Sequence, residues 1–155
     1  MIFGKMPNKN LLENPILELE TIKQFLPHRE PMLMVDGLLY FDGTKAISKL
    51  TILDSNIFVE DNLFLEAGLI ENMAQTAALL TGYKHQSENL PVKEGFIAAI
   101  KNLKIEALPN VNDIVETEVT VTYKVATMTM VNLSSKVKGE IVATAEMTLV
   151  LKEDE

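Results

Sequence analysis

There is no cysteine among the 155 residues. That removes disulfides, thiolate metal sites and a cysteine nucleophile together, and it is compatible with a reducing cytoplasm. Positive charge is also scarce. Fourteen basic side chains face 22 acidic ones, for a net charge of -8, and Arg29 is the single arginine. Such a surface argues against nucleic acid and anionic membranes as partners. The opening residues, MIFGKMPNKN, hold neither a long apolar run nor a cleavage-type segment, so export is not expected and a cytoplasmic location is. Repeats, low-complexity tracts and linkers are missing too, and the length suits one domain with a full core.

What the chain does have is an unusually apolar centre. In Gly68–Tyr83, GLIENMAQTAALLTGY, the residues Leu69, Ile70, Met73, Ala74, Ala77, Ala78, Leu79 and Leu80 do not keep to one face. A helix apolar nearly all round has to be wrapped by other elements. Sixteen residues make a rod of about 24 Å, right for a domain centre and short of a bilayer. One ionisable side chain, Glu71, lies near its start. A carboxylate in that company is solvated through an opening, paired, or used.

Around this helix the rest falls into order. Residues 1–13 read as a flexible arm and 14–155 as a single domain. Asn14-Pro15 to Leu26 has helix grammar, with Thr21 and Gln24 as a second possible capping box and Pro27 as the stop. One helix or two short ones fit equally. Met32–Phe41 reads as a buried strand, Asp42-Gly43 as a hairpin turn and Lys45–Leu53 as the partner strand. In that strand Ala46, Ser48, Leu50 and Ile52 share a side. The stretch 54–66 is irregular, and His85–Val92 is a loop. Gly95–Glu106, the alternating run Val115 to Val125, Thr127–Lys138 and Glu140–Lys152 then read as four strands, with Ile141, Ala143, Ala145, Met147 and Leu149 on one face of the last. The fold class is α+β: one long buried helix wrapped by a curved, mostly antiparallel sheet. Such a sheet has edges, and pairing them between subunits predicts a dimer.

Four stretches resemble the hot-dog fold 3-hydroxyacyl-acyl-carrier-protein dehydratases. Leu26-Pro27-His28-Arg29-Glu30-Pro31, continuing to Val35-Asp36, is similar to that family's L-P-H-R-x-P-hydrophobic-V-D. Glu71-Asn72-Met73-Ala74-Gln75 is similar to its helix motif E-A-x-A-Q. Lys101–Val119 follows its basic strand, turn and next strand, with PNVND in place of P-G-D. EIVATAEM (Glu140–Met147) is similar to its last strand. The resemblance covers roughly residues 15 to 152. It implies a hot-dog fold, a site without metal or other cofactor, and an acyl-carrier-protein or coenzyme A thioester as partner. It extends to the dehydratase-like proteins of polyene pigment pathways, some of which support an active dehydratase. The expected assembly is therefore a homodimer or a heterodimer with a related dehydratase.

One departure stands out. The family's catalytic histidine sits in H-F-P-x-x-P-x-x-P-G just before the helix. Here Ile57 or Val59 takes its place, depending on whether Glu71 or Gly68 anchors the count, and no histidine lies between His28 and His85.

Dehydrating a 3-hydroxyacyl thioester needs a base beside the carbonyl, an acid for the departing hydroxyl and donors for the thioester oxygen. The resemblance makes Glu71 catalytic; the alternative is that it only complements the helix dipole or holds a buried contact. Backbone N–H groups of Gly68 and Leu69, at the expected helix start, are candidate oxyanion donors. Asp61 is the candidate replacement for the missing base, beside Glu60 and Glu66, although carboxylates in polar loops are usually just solvated. In the resembled family the L-P-H-R histidine belongs to a scaffold turn, so His28 is expected to bond backbone, and Arg29 a carboxylate. Lys101 and Lys104 match carrier-protein-binding positions, though a solvated strand edge explains them equally. Met128, Met130 and Met147 line an acyl tunnel or simply fill the core. Three activities follow as expectations: an altered dehydratase, a catalytically silent dehydratase-like partner subunit or acyl-thioester-binding protein, and an acyl thioesterase.

Overall fold

The computed structural model describes residues 9–152. The elements run α1 (Leu19–Ile22), β1 (Gly37–Phe41), β2 (Lys45–Thr51), β3 (Val59–Glu60), β4 (Leu63–Phe64), α2 (Glu66–Ser87), β5 (Gly95–Ile105), β6 (Ile114–Val125), β7 (Met128–Val137) and β8 (Glu140–Leu151). Six strands form one curved antiparallel sheet in the order β1-β2-β6-β7-β8-β5, and β3 and β4 pair apart from it. The sheet wraps α2, as an all-round apolar helix requires. Leu69, Met73, Ala77, Leu79 and Leu80 are buried against core residues of the sheet such as Ala46, Leu50, Val119 and Leu133.

Several boundaries moved. The helix expected from Asn14 shrinks to the single turn of α1, because Ile16 is drawn off to pair with Leu38, exchanging two backbone hydrogen bonds of 2.8 Å. The arm expected over 1–13 is anchored from residue 10 onward. Leu11 N–H donates to the Phe41 carbonyl and Phe41 N–H to Asn10 Oδ1; residues 1–8 lie outside the described part. Helix α2 starts two residues earlier than Gly68 and runs through His85 to Ser87, so that 22 residues extend roughly 33 Å. In β8 a bulge leaves Val142 without a register partner. Val142 therefore turns inward and Ile141 outward, against the strict alternation expected there.

The two edges of the sheet differ. The β1 edge is closed by the segment around Ile16, whereas β5, eleven residues long, ends the sheet at the other side. Nearly all of β5 is exposed, including Phe96, Ile97, Ile100 and Leu103. An exposed apolar edge strand of that length is a template for pairing with another chain.

Candidate functional site: a carboxylate and a histidine on one apolar cavity

Helix α2 carries a polar stripe on its otherwise apolar surface. Asn72, Gln75 and Thr76 have no solvent exposure. Buried polar groups are costly unless bonded, and each of these is bonded. Asn72 Nδ2 donates to the Met34 carbonyl at 2.8 Å, and Asn72 Oδ1 accepts from the Thr117 hydroxyl at 2.6 Å. The Thr117 hydroxyl lies 2.7 Å from that of Ser135, and the Thr76 hydroxyl 2.6 Å from that of Ser48. Ser48, Thr117 and Ser135 are register partners across β2, β6 and β7, so a row of hydroxyls on the sheet meets the amides of the helix. This fixes the rotation of α2 against the sheet, and with it the direction in which Glu71 points.

Gln75 extends the stripe to the site. Its Oε1 accepts from Met34 N–H at 2.6 Å, and its Nε2 donates to the Met32 carbonyl and to Glu71 Oε1, both at 2.8 Å. The Glu71 carboxylate is thus half-buried and held by an amide with no freedom of its own.

Glu71 faces a cavity of about 500 Å³ whose walls are mostly apolar. Ala74, Ala77 and Ala78 of α2 form one side, and Phe96 and Ile97 of β5 with Leu149 and Leu151 of β8 another. Phe25, Pro27 and His28 close it from the segment after α1. His28 is there because α2 lets that segment approach. A Cβ on Gly82 would stand 1.9 Å from the Phe25 carbonyl oxygen, so glycine alone admits the contact.

The His28 ring does not serve the turn as expected. Arg29 Nη1 holds the backbone there, donating to the carbonyls of Leu26 and His28 at 2.8 and 2.7 Å. The arginine therefore grips carbonyls rather than the expected carboxylate. His28 Nδ1 is buried without a hydrogen-bond partner among the described residues. Burial pushes the imidazole below its usual pKa, while the Glu71 and Glu94 carboxylates pull it up and Arg29 adds a smaller push down. Sequence reasoning set His28 aside. The signal available was the apolar Phe25-Leu26-Pro27 preceding it, which carries the ring inward.

The other sequence candidates are placed differently. Gly68 and Leu69 are not free donors, because α2 begins upstream of them. Both N–H groups go to the Leu65 carbonyl, at 3.0 and 3.2 Å. Gly68 is glycine for a packing reason, since a Cβ there would meet the Phe64 ring at 2.5 Å. Asp61 is exposed at the β3–β4 turn with φ 50°, beside Asn62 at φ 66°, and is not on the cavity wall. Of the two residues that can stand at the position of the missing histidine, Ile57 is 48% exposed and Val59 half-buried, and neither is on the cavity wall. Lys101 and Lys104 are exposed on β5, flanking a bulge in which Asn102 has φ 52°. Met147 is core, and Thr129 rather than Met128 or Met130 reaches the cavity. Among the described residues no cluster of His, Asp or Glu could hold a metal ion, and no helix is long and apolar enough to cross a membrane.

A long helix wrapped by a curved antiparallel sheet, with a cavity between them, is the hot-dog fold. The family model described as ApeP dehydratase, ApeP-like, matches residues 20–155, and the chain belongs to that family. It is 33% identical over 146 residues to the 3-hydroxyacyl-[acyl-carrier-protein] dehydratase FabZ of Pseudothermotoga lettingae, covering 90% of this chain and 99% of that protein. The FabZ of Rickettsia massiliae is 28% identical over 148 residues, covering 89% and 98%. Among solved structures, a chain of the dehydratase heterocomplex ApeI:P from Xenorhabdus doucetiae superposes with a TM-score of 0.81 at 12% identity, over 86% of this chain and 91% of that one. That likeness establishes the fold.

Proposed function

We propose that this chain dehydrates 3-hydroxyacyl thioesters carried on an acyl-carrier protein, in fatty acid or polyene synthesis in the cytoplasm. The observation that carries the reading is the Glu71 carboxylate, gripped by Gln75 and facing an apolar cavity large enough for an acyl chain. Loss of water from such a substrate requires proton movement at two adjacent carbons beside the thioester, and Glu71 is the charged group that α2 brings to the cavity wall, where Lys93 and Glu94 also lie. Asp61 has no part in this reading, since it sits at a turn outside the cavity. The FabZ relatives, which are 3-hydroxyacyl-[acyl-carrier-protein] dehydratases, support the substrate class. Lys101 and Lys104, exposed on a chain of net charge -8, offer an acidic carrier a pair of basic side chains on β5. Coenzyme A thioesters offer the same reacting atoms and are a second carrier to test.

A second reading is a supporting subunit that pairs through β5 with a histidine-bearing dehydratase. The absence of histidine between His28 and His85 favours it, as does the exposed apolar edge of β5. ApeI:P is itself a heterocomplex. The test is to mix the purified chain, alone and with a histidine-bearing family member, with a 3-hydroxyacyl carrier thioester. Enoyl formation supports dehydration; enoyl formation only in the mixture supports the subunit reading. Release of free thiol would mark a thioesterase and end both.

A further inference from the structure

We infer that His28 is a catalytic residue, which with Glu71 makes a proton-transfer pair inside one chain and supplies the imidazole missing from the segment before α2. This rests on the dehydratase reading and goes beyond it by naming the second reacting group.

Three observations carry it. First, His28 and Glu71 line the same cavity although they lie 43 positions apart in the sequence, one on the segment after α1 and one on α2. Second, the His28 ring is not consumed by the scaffold. Arg29 holds the backbone of the turn, and Nδ1 is buried with no partner among the described residues, which leaves Nε2 as the nitrogen for a substrate. Third, the chain invests in delivering this ring. Gly82 admits the Phe25 carbonyl at a distance no other residue permits, and Phe25, Pro27 and His28 all reach the cavity as a result. The charged groups acting on the ring are Glu71, Glu94 and Arg29, and burial favours the neutral ring, the form a base requires.

The step balances within the pair. Nε2 of His28 takes the proton from the carbon beside the thioester carbonyl. The imidazolium passes a proton to the Glu71 carboxylate, which delivers it to the hydroxyl on the next carbon. That carbon–oxygen bond breaks, water leaves, and a carbon–carbon double bond forms between the two carbons. His28 ends neutral and Glu71 ionised, as both began.

The test uses the full chain alone, with a 3-hydroxyacyl thioester of a phosphopantetheinylated carrier protein, following enoyl formation. The wild type is expected to turn over. His28→Gln and Glu71→Gln are each expected to lose on the order of a hundredfold or more in kcat with an unchanged unfolding midpoint. A second readout needs no activity: NMR titration of the chain's two histidines. Replacing Glu71 by Gln is expected to lower the His28 midpoint, because a neighbouring negative charge is removed. Turnover by His28→Gln within a few fold of wild type overturns the inference. So does a His28 midpoint indifferent to Glu71→Gln, which decides the matter if His28→Gln fails to fold. A wild-type chain that is inert alone, yet contributes to dehydration with a histidine-bearing partner, overturns this inference together with dehydration by the chain alone and leaves the supporting-subunit reading standing, whereas full turnover by His28→Gln overturns this inference only. Inertness in both settings removes both.

Discussion

Gly82→Ala sets two physical effects of opposite sign against each other. Gly82 lies inside α2, five residues before its end. On helix propensity alone, alanine should stabilise the helix by about 1 kcal/mol. The structure predicts the reverse. The new methyl group would sit 1.9 Å from the Phe25 carbonyl oxygen and 2.9 Å from its carbon, where ordinary contact begins near 3.4 Å. Backbone has to retreat on the order of 1.5 Å, and the atoms in the way are not the free end of a side chain. Nor is the backbone loose. Phe25 N–H is bonded to the Ile22 carbonyl at 3.0 Å and the next carbonyl is held by Arg29. Overpacking typically costs about 1–3 kcal/mol, and rigid neighbours place this case at the upper end. The net expectation is a loss of about 2 kcal/mol, or a fall in Tm of about 4–8 °C for a domain of this size. Urea unfolding monitored by circular dichroism measures it, with an unchanged slope confirming that the native state is the one affected. Displacing Phe25 also displaces His28, so enoyl formation should fall more than the stability loss explains. A Gly82→Ala protein as stable as wild type, with full turnover, would refute both the close approach and its role in shaping the cavity.

Asn72→Leu keeps the branched shape but takes the amide donor from the Met34 carbonyl and leaves the Thr117 hydroxyl with Ser135 alone; a loss of about 2 kcal/mol in urea unfolding is expected, and a change under about 0.5 kcal/mol would contradict the bonded row. Burial lowers the pKa of both His28 and His85 from 6.5, so each binds protons more readily in the unfolded chain. Stability is therefore full above pH 6.5 and is lost as pH falls through the lowered values, and His28→Gln with His85→Gln should flatten that slope in unfolding curves taken from pH 7.5 to 5. Asp61→Gly relieves a left-handed residue at an exposed turn, so stability should hold or rise slightly and enoyl formation stay at the wild-type level; lost turnover would restore Asp61 to the site. Ile100→Glu with Leu103→Glu places charge on the exposed β5 edge and should shift the sedimentation coefficient from associated species to monomer.

The parts of the fold that were legible in the sequence are those set by local pattern. The all-round apolar run around Met73 demanded a wrapped helix, and the alternation from Val115 to Val125 demanded a half-buried strand; both are present. Ser48 was placed on the inner face of β2 by alternation, but nothing local said that it would meet Thr76 there, because that contact joins residues 28 apart. Asn14-Pro15 carried good helix signals and still lost to β1, whose unpaired edge gave Ile16 two hydrogen bonds that a marginal short helix could not match. Gly68 looked like a site glycine and is a packing glycine, a distinction that depends on where Phe64 lies.

The same division separates Glu71 from His28. Glu71 could be picked out because its neighbours in sequence are apolar, and a charge among them needs a reason. His28 sits in a polar tetrapeptide, His28-Arg29-Glu30-Pro31, and by local standards belongs on a surface turn. Its place on the cavity wall goes with the close approach that α2, lacking a side chain at Gly82, allows the Phe25 backbone. That contact spans 57 positions and turns a surface-type sequence into a cavity wall. A catalytic histidine can therefore leave the segment where a family's motif places it without the cavity losing an imidazole, provided another element brings one to the same carboxylate. For this chain the side chains that share the cavity, His28 and Glu71 among them, therefore have to be tested beside the motif before the helix.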